Sequence, residues 1–412
     1  MWRPKSWMML AVCGVMAAGC SSQAPVALSE AAREETPYIP QSGSGNGFDA
    51  AALAGMSAVR LTPTLIDRVS FGPDMKVKAI KQAGPALSQA EQSLRKPFKY
   101  EFRVVSPRKE VPWRKGWVML GRCWIWQIEA AVKQKNWPLA AQKTIVATRF
   151  GARLCGGDAE DASLGITIAN DARALIAPQL SKMSQASLKA LSAGLDQAMR
   201  DLPPADETIQ HELQRGKMTI QEVIDAYEAR KLDDLTKQYG RSVKDAISFL
   251  KEKVKGPAAR EYFDGFVREA EMLSSEAIVD SKEPASPRAN EDPFDPKNPR
   301  WKGIKRPWRG LMPHVLVGQK LFVQQRAEFL TRTRLMYLVS VIEFSIKVTG
   351  KAPKDLKKIS QRNSIDPYSG NPFYYRAEAE NYKLWSVGKD GVNNGGSSTH
   401  FHQSPDMTLE VD

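Results

Sequence analysis

The sequence predicts a mainly α chain: a helical N-terminal domain, followed by a small α+β unit in which a long helix packs on a small antiparallel sheet. Three observations carry that prediction. Leu120, Trp124, Ile128 and Val132 recur every four positions, which gives one apolar helical face. Leu335, Leu338, Val339, Ile342 and Ile346 make a second stripe at helical spacing. Beyond it, Phe373-Tyr374-Tyr375 and Tyr382 to Ser386 are short aromatic runs set among Asp-Pro, Ser-Gly-Asn-Pro and Gly-Lys-Asp-Gly turns, the signature of short strands. A sheet that small does not persist alone and has to lie on the helix.

In chain order, residues 1–19 read as an export signal. Arg3 and Lys5 precede a run from Met8 to Ala18 that is nearly all apolar or small, and Ala17-Ala18-Gly19-Cys20 closes it. That run is well short of the roughly 20 residues a membrane-crossing helix needs. Its ending resembles the lipobox of bacterial lipoproteins, with Ala17 where that family usually has Leu. The resemblance implies that Cys20 becomes the lipidated first residue of the mature chain, attached to the membrane through palmitate-type acyl chains. Ser21 in the next position implies the outer membrane, with the protein facing the periplasm. Residues 20–47 are rich in Ser, Ala, Pro and Gly and read as a flexible tether.

The expected helical domain covers 48–273. A helical stretch is expected over Leu87 to Leu94 and short strands around Tyr100 to Val105. Asn136-Trp137-Pro138 breaks the helix that begins near Trp113, and Pro suits the first turn of its successor. Ser184 opens an amphipathic helix that Leu202-Pro203-Pro204 stops. Further helices are expected from about Thr219 to Arg230, Ser242 to Val254 and Ala258 to Leu273. At 412 residues with 42% hydrophobic content, the chain can bury a sizeable core, and its length suggests about two domains. With Cys13 lost in the signal and Cys20 acylated, Cys123 and Cys155 remain. They are either a disulfide in an oxidising compartment or two buried helical thiols.

Residues 274–313 are dense in Pro, charge and turn formers and read as a linker. Within it Arg300, Trp301, Lys302, Lys305, Arg306, Trp308 and Arg309 interleave aromatic and basic groups. Such a stretch suits an anionic surface, or its tryptophans cover a neighbouring domain. Removal of Arg3 and Lys5 lowers the formal charge from +13 by two, to +11. For an exported protein that balance points to lipid head groups and wall polymers, with no nucleic acid among the expected partners.

Residues 314–396 form the α+β unit and 397–412 a tail. Gly350 caps the long helix, and Lys351-Ala352-Pro353 prevents its continuation. The V-T-G-K-A-P helix end, the D-P-x-S-G-N-P-F-x-Y-R turn and strand, and the Y-x-L-W-S-V-G-x-D-G strand and loop together resemble the globular part of the major pseudopilin of type II secretion systems. The likeness covers roughly Phe322 to Gly396, under a fifth of the chain. Similar modules also end exported bacterial proteins with helical N-terminal regions, and this chain resembles those more than a filament subunit. The resemblance implies calcium in the loop after Ser386, with Asp390, Asn393 and Asn394 as ligands. Against a hard cation that wants six to eight oxygens, this loop has a single carboxylate, so a calcium site is either weak or replaced by a plain Gly/Asn turn.

Motifs for catalysis are sparse. The chain has no G-x-S-x-G, H-E-x-x-H, G-K-[ST] phosphate loop or C-x-x-C, so no catalytic residue is assigned. His211 and His314 lack companions at ligand spacing, and His400 and His402 fall in the tail. The expectation is a non-catalytic envelope lipoprotein that interacts with a further envelope protein. An accessory factor of a secretion or pilus-like machine and a cell-wall hydrolase are the alternatives.

Overall fold

The computed structural model describes residues 38–100, 111–255, 257–291, 308, 310–316, 318–378, 381–396 and 406–409. Among them are thirteen α-helices and one three-stranded sheet, so the chain is mainly α with a small antiparallel sheet near its C-terminal end. No helix among these residues is long and apolar enough to cross a membrane.

The first five helices are α1 (Gly47–Leu61), α2 (Pro73–Ser93), α3 (Arg114–Lys133), α4 (Trp137–Leu154) and α5 (Ala159–Ile176). They enclose a core of Phe48, Trp117, Trp124, Phe150 and Ile168. The periodic face read from the sequence is part of it, since Leu120, Trp124 and Ile128 are fully buried. The α3–α4 break falls where expected: Lys135 takes φ +54°, and the Asn136 side chain accepts from Leu139 N–H at 3.3 Å. Small residues let these helices touch backbone to backbone. A Cβ on Gly116 would lie 1.8 Å from the Gly55 carbonyl oxygen, and one on Gly165 would lie 2.4 Å from that of Gly151.

The folded body begins before residue 48. Tyr38 packs its ring 5.5 Å from Phe48 and 6.3 Å from Trp113, and Lys96 Nζ donates to the Ser44 carbonyl at 3.0 Å. The last ten residues of the expected tether are therefore docked, because aromatic burial outweighs the Gly/Ser tendency to remain free. Of the strands expected around Tyr100 to Val105, residues 101–105 lie outside the described residues.

Next come α6 (Gln185–Asp201), α7 (Ala205–Glu228), α8 (Leu232–Tyr239), α9 (Lys244–Lys253) and α10 (Pro257–Asp280). Ser184 caps α6 as expected, accepting from Ser187 N–H at 3.2 Å. The α7 helix starts well before Thr219, because the polar stretch from Ala205 has helix propensity and buries Ile209 and Leu213 on one side. The second half of α7 packs with α8, α9 and α10 around Phe266, Leu250 and Ile224. We call this group the α7–α10 arm.

The described parts of the segment expected to be a linker are helical or packed. The α10 helix runs to Asp280, α11 (Pro287–Asn290) follows, and α12 (Met312–Val315) inserts Met312 and Val315 into the core of the arm. The long helix α13 (Gln319–Thr349) ends at Gly350 in the left-handed region, φ +71°. It leads to β1 (Tyr374–Glu378), β2 (Asn381–Ser386) and β3 (Met407–Thr408), paired antiparallel in the order β1-β2-β3. One core joins this unit to the helical body: Leu188, Leu191 and Leu195 of α6 pack with Leu335, Leu338, Val339 and Ile342 of α13, and with Phe373 and Leu384 of the sheet. The expected boundary at 274–313 thus does not divide the apolar core, because α13 is buried on two sides and needs α6 as well as the sheet.

Candidate functional site

A cleft of about 340 Å³ opens between the sheet and α13, lined by Ser181, Val339, Glu343, Tyr382, Leu384 and Leu409. Its shape follows from how the strands pair. On one side, β2 is matched to β1 along Asn381 to Trp385. On the other, β3 pairs only with Trp385 and Ser386, so from Asn381 to Leu384 the second edge of β2 has no strand partner among the described residues. Tyr382 and Leu384 sit on the α13 side, and Tyr382 Oη donates to Glu343 Oε1 at 2.7 Å. Burial and the Glu343 carboxylate both raise the Tyr382 phenol above its ordinary range, so it remains a donor. Lys383 and Asn381 are exposed at the rim. The cleft therefore combines an apolar floor, a fixed hydrogen-bonded pair and an edge of β2 that, among the described residues, is strand-paired only at Trp385 and Ser386, the elements with which sheets accept an added strand.

The loop after β2 places the expected calcium ligands, Asp390, Asn393 and Asn394, close together on an exposed turn. Asn393 Oδ1 accepts from Trp385 Nε1 at 2.9 Å and from Gly395 N–H at 3.0 Å. Asp390 Oδ1 accepts from Val392 N–H at 3.1 Å. Asp406 Oδ2 accepts from the N–H groups of Asn394 at 2.8 Å and Gly396 at 2.7 Å. Positive φ at Gly391, Gly395 and Gly396 allows those N–H groups to converge. The loop is folded around the Asp406 carboxylate, and Asp390 Oδ1 and Asn393 Oδ1 each accept N–H groups. Among the described residues no group of three or more His, Cys, Asp or Glu is placed to share a metal. Asp366, read as a turn former, does more than expected: it accepts from Tyr368 N–H, Ser386 Oγ and Val387 N–H, tying the turn to the end of β2.

Cys123 and Cys155 are buried and unbonded, which corrects the disulfide alternative. Cys123 faces the core of α1–α5, whereas Cys155 follows α4 and lies in a separate cluster with Phe322 and Phe329. Burial pushes both thiols up to about 12. In the tryptophan-basic stretch, Arg300, Trp301, Lys302, Lys305, Arg306 and Arg309 lie outside the described residues, as do Cys20, His400 and His402. Trp308 is described. It stacks 6.2 Å from Phe266, meets Tyr262 at 5.3 Å, and so covers α10.

One charged cluster had no counterpart in the sequence reading. Where α3, α5 and α7 meet, the Arg114 guanidinium donates to Asp158, Glu160 and Asp161, the last through Nε at 2.5 Å. Arg215 Nη1 reaches Asp158 Oδ2 and Glu212 Oε1, each at 3.1 Å. Two backbone bonds complete the junction: Asp158 Oδ1 caps α5 by accepting from Asp161 N–H at 2.9 Å, and Glu212 Oε1 accepts from Ala159 N–H at 2.9 Å. Burial opposes the charge of Asp158, but Arg114 and Arg215 prevail and hold its carboxyl below the usual range. Burial pushes Asp161 up to about 8, with Arg215 opposing and Glu212 adding to the rise, and burial likewise raises Glu212. Arg215 is held above its ordinary value despite burial because Asp158 and Glu212 flank it.

No protein-family model matches the chain, and no curated protein or solved structure matches it significantly.

Proposed function

We propose that this chain is a lipid-anchored component of the bacterial cell envelope that works by binding another protein and not by catalysis, with the cleft between β2 and α13 as its docking face. The observation that carries this reading is β2 itself: among the described residues its second edge is strand-paired only at Trp385 and Ser386, above an apolar floor, and an extended segment of a partner could be added there through main-chain hydrogen bonds. The basic export-type leader ending in Ala17-Ala18-Gly19-Cys20 supports the envelope location and lipidation at Cys20. The likeness of the helix–turn–strand order to the pseudopilin module favours, as a second reading, an accessory role in a secretion or pilus-like machine, with a pseudopilin strand as the partner.

The test uses a photo-crosslinking amino acid in the full chain in its native host, at Lys383 on the cleft rim and, as control, at the exposed Lys237 of α8. Defined adducts from position 383 alone support the reading, and pseudopilin among them favours the secretion role. Equal patterns from both positions, or none from 383, overturn it. Lipidation is checked separately by labelling with a palmitate analogue, which Cys20→Ala is expected to abolish.

A further inference from the structure

We infer that the ion cluster joining α3, α5 and α7 is a proton-operated latch: it holds the α7–α10 arm against the helical body while one of its three buried carboxylates keeps a proton, and loosens the arm when that proton leaves. The first support is a count of charges in a confined place. Asp158, Asp161 and Glu212 are 5%, 1% and 4% exposed, and among the described residues two guanidinium groups, Arg114 and Arg215, are set among them. Glu160, also bound to Arg114, has a half-exposed side chain that water can serve. The buried set among the described residues is therefore one negative charge in excess when fully ionised, and a buried charge without compensation is expensive.

The second support is position. The hydrogen bonds of the cluster span three elements, and several stitch α7 directly to the start of α5: Glu212 to Ala159 N–H, Arg215 to Asp158, and His211 Nδ1 to the Gly157 carbonyl at 3.3 Å. Among the described residues, the groups facing the junction are Arg114 from α3, Asp158, Glu160 and Asp161 from α5, His211, Glu212 and Arg215 from α7, and the Tyr100 ring 5.7 Å from His211. At the head of α13, a Cβ on Gly318 would lie 2.2 Å from that of Ala159 and 3.4 Å from Glu212 Oε2, so any outward shift of Glu212 is also felt there. Burial of Asp161 and Glu212 makes them the residues that keep the proton, whereas Asp158, between both guanidinium groups, is the one that stays ionised.

The direction of the effect follows. The native state holds the Asp161 proton up to about pH 8, whereas an unfolded chain releases it near ~4. Over that window the native state binds more protons, so its stability is greatest below the window and falls as pH rises through about 8.

The experiment follows the full chain from about pH 5 to about pH 9, by thermal melting, by the infrared carbonyl stretch of protonated carboxyl groups, and by amide exchange at Ala159 and Asp161 normalised for its base-catalysed rate. The latch predicts a protonated buried carboxyl band that disappears on the alkaline side, a falling Tm and rising exchange at those two amides. It also predicts a shallower fall of Tm over the same range for Asp161→Asn than for the wild type. A wild-type protein without such a band, or an Asp161→Asn protein that keeps the wild-type slope, overturns it. If Asp161→Asn does not fold, Glu212→Gln and the wild-type infrared band decide the matter in the same way.

Discussion

The two ends of α5 are held by opposite means. Along its middle, Gly165 meets Gly151 of α4 so closely that each would drive a Cβ to within 2.4 Å of the other's carbonyl oxygen or nearer. At its N-terminal end the contacts with α3 and α7 are charged, shared among two arginines and four carboxylates. Close apolar packing depends only on shape, so solution conditions barely alter it. A buried ionic junction depends on protonation and on each member being present. The same helix thus has one permanent attachment and one conditional attachment.

The contrast can be broken most forcefully at Arg114. Arg114→Ala leaves three carboxylates without their shared partner, and the expected loss is about 3–5 kcal/mol by urea denaturation near neutral pH, shrinking as acid protonates them. Gly165→Val should cost at the upper end of about 1–3 kcal/mol or beyond, because its neighbours are backbone and cannot move aside. Unlike the Arg114 loss, that loss should be the same at acidic and neutral pH, and a pH-dependent Gly165→Val loss would erase the distinction. Asn136→Ala removes only a helix cap and should cost about 1 kcal/mol, which sets the scale for capping in the absence of ion pairs. The smallest effect concerns the thiols. Neither Cys123 nor Cys155 should react with an alkylating agent in the folded protein, and both should react after denaturation without reductant, since burial raises both.

Local signals carried much of the fold. The α3–α4 break was legible because Asn136 and Pro138 act on their own neighbours, and the α13 stripe because helical spacing repeats over a few turns. The start of α7 was not legible, since its first turns are polar and gain their buried face from α5 and α13. The cleft was half legible: the aromatic strands stand out, but its shape depends on which strand lies beside β2 and on how α13 packs beneath it. In the Asp390 loop the oxygen-bearing residues were legible, and only the fold revealed that Asp406, from beyond the loop, accepts the N–H groups of Asn394 and Gly396.

By itself, then, the sequence determined the mainly helical class, the helix caps and breaks, the long helix stopped at Gly350 and the strands behind it. All of these rest on interactions within a few residues. The tertiary structure alone decided that the C-terminal unit shares a core with α6, that the two cysteines lie apart, and that Arg114 and Arg215 meet Asp158 from 44 and 57 positions away. Such contacts join residues with no local relation, and they form only when the burial of several apolar faces at once brings distant segments to the same place.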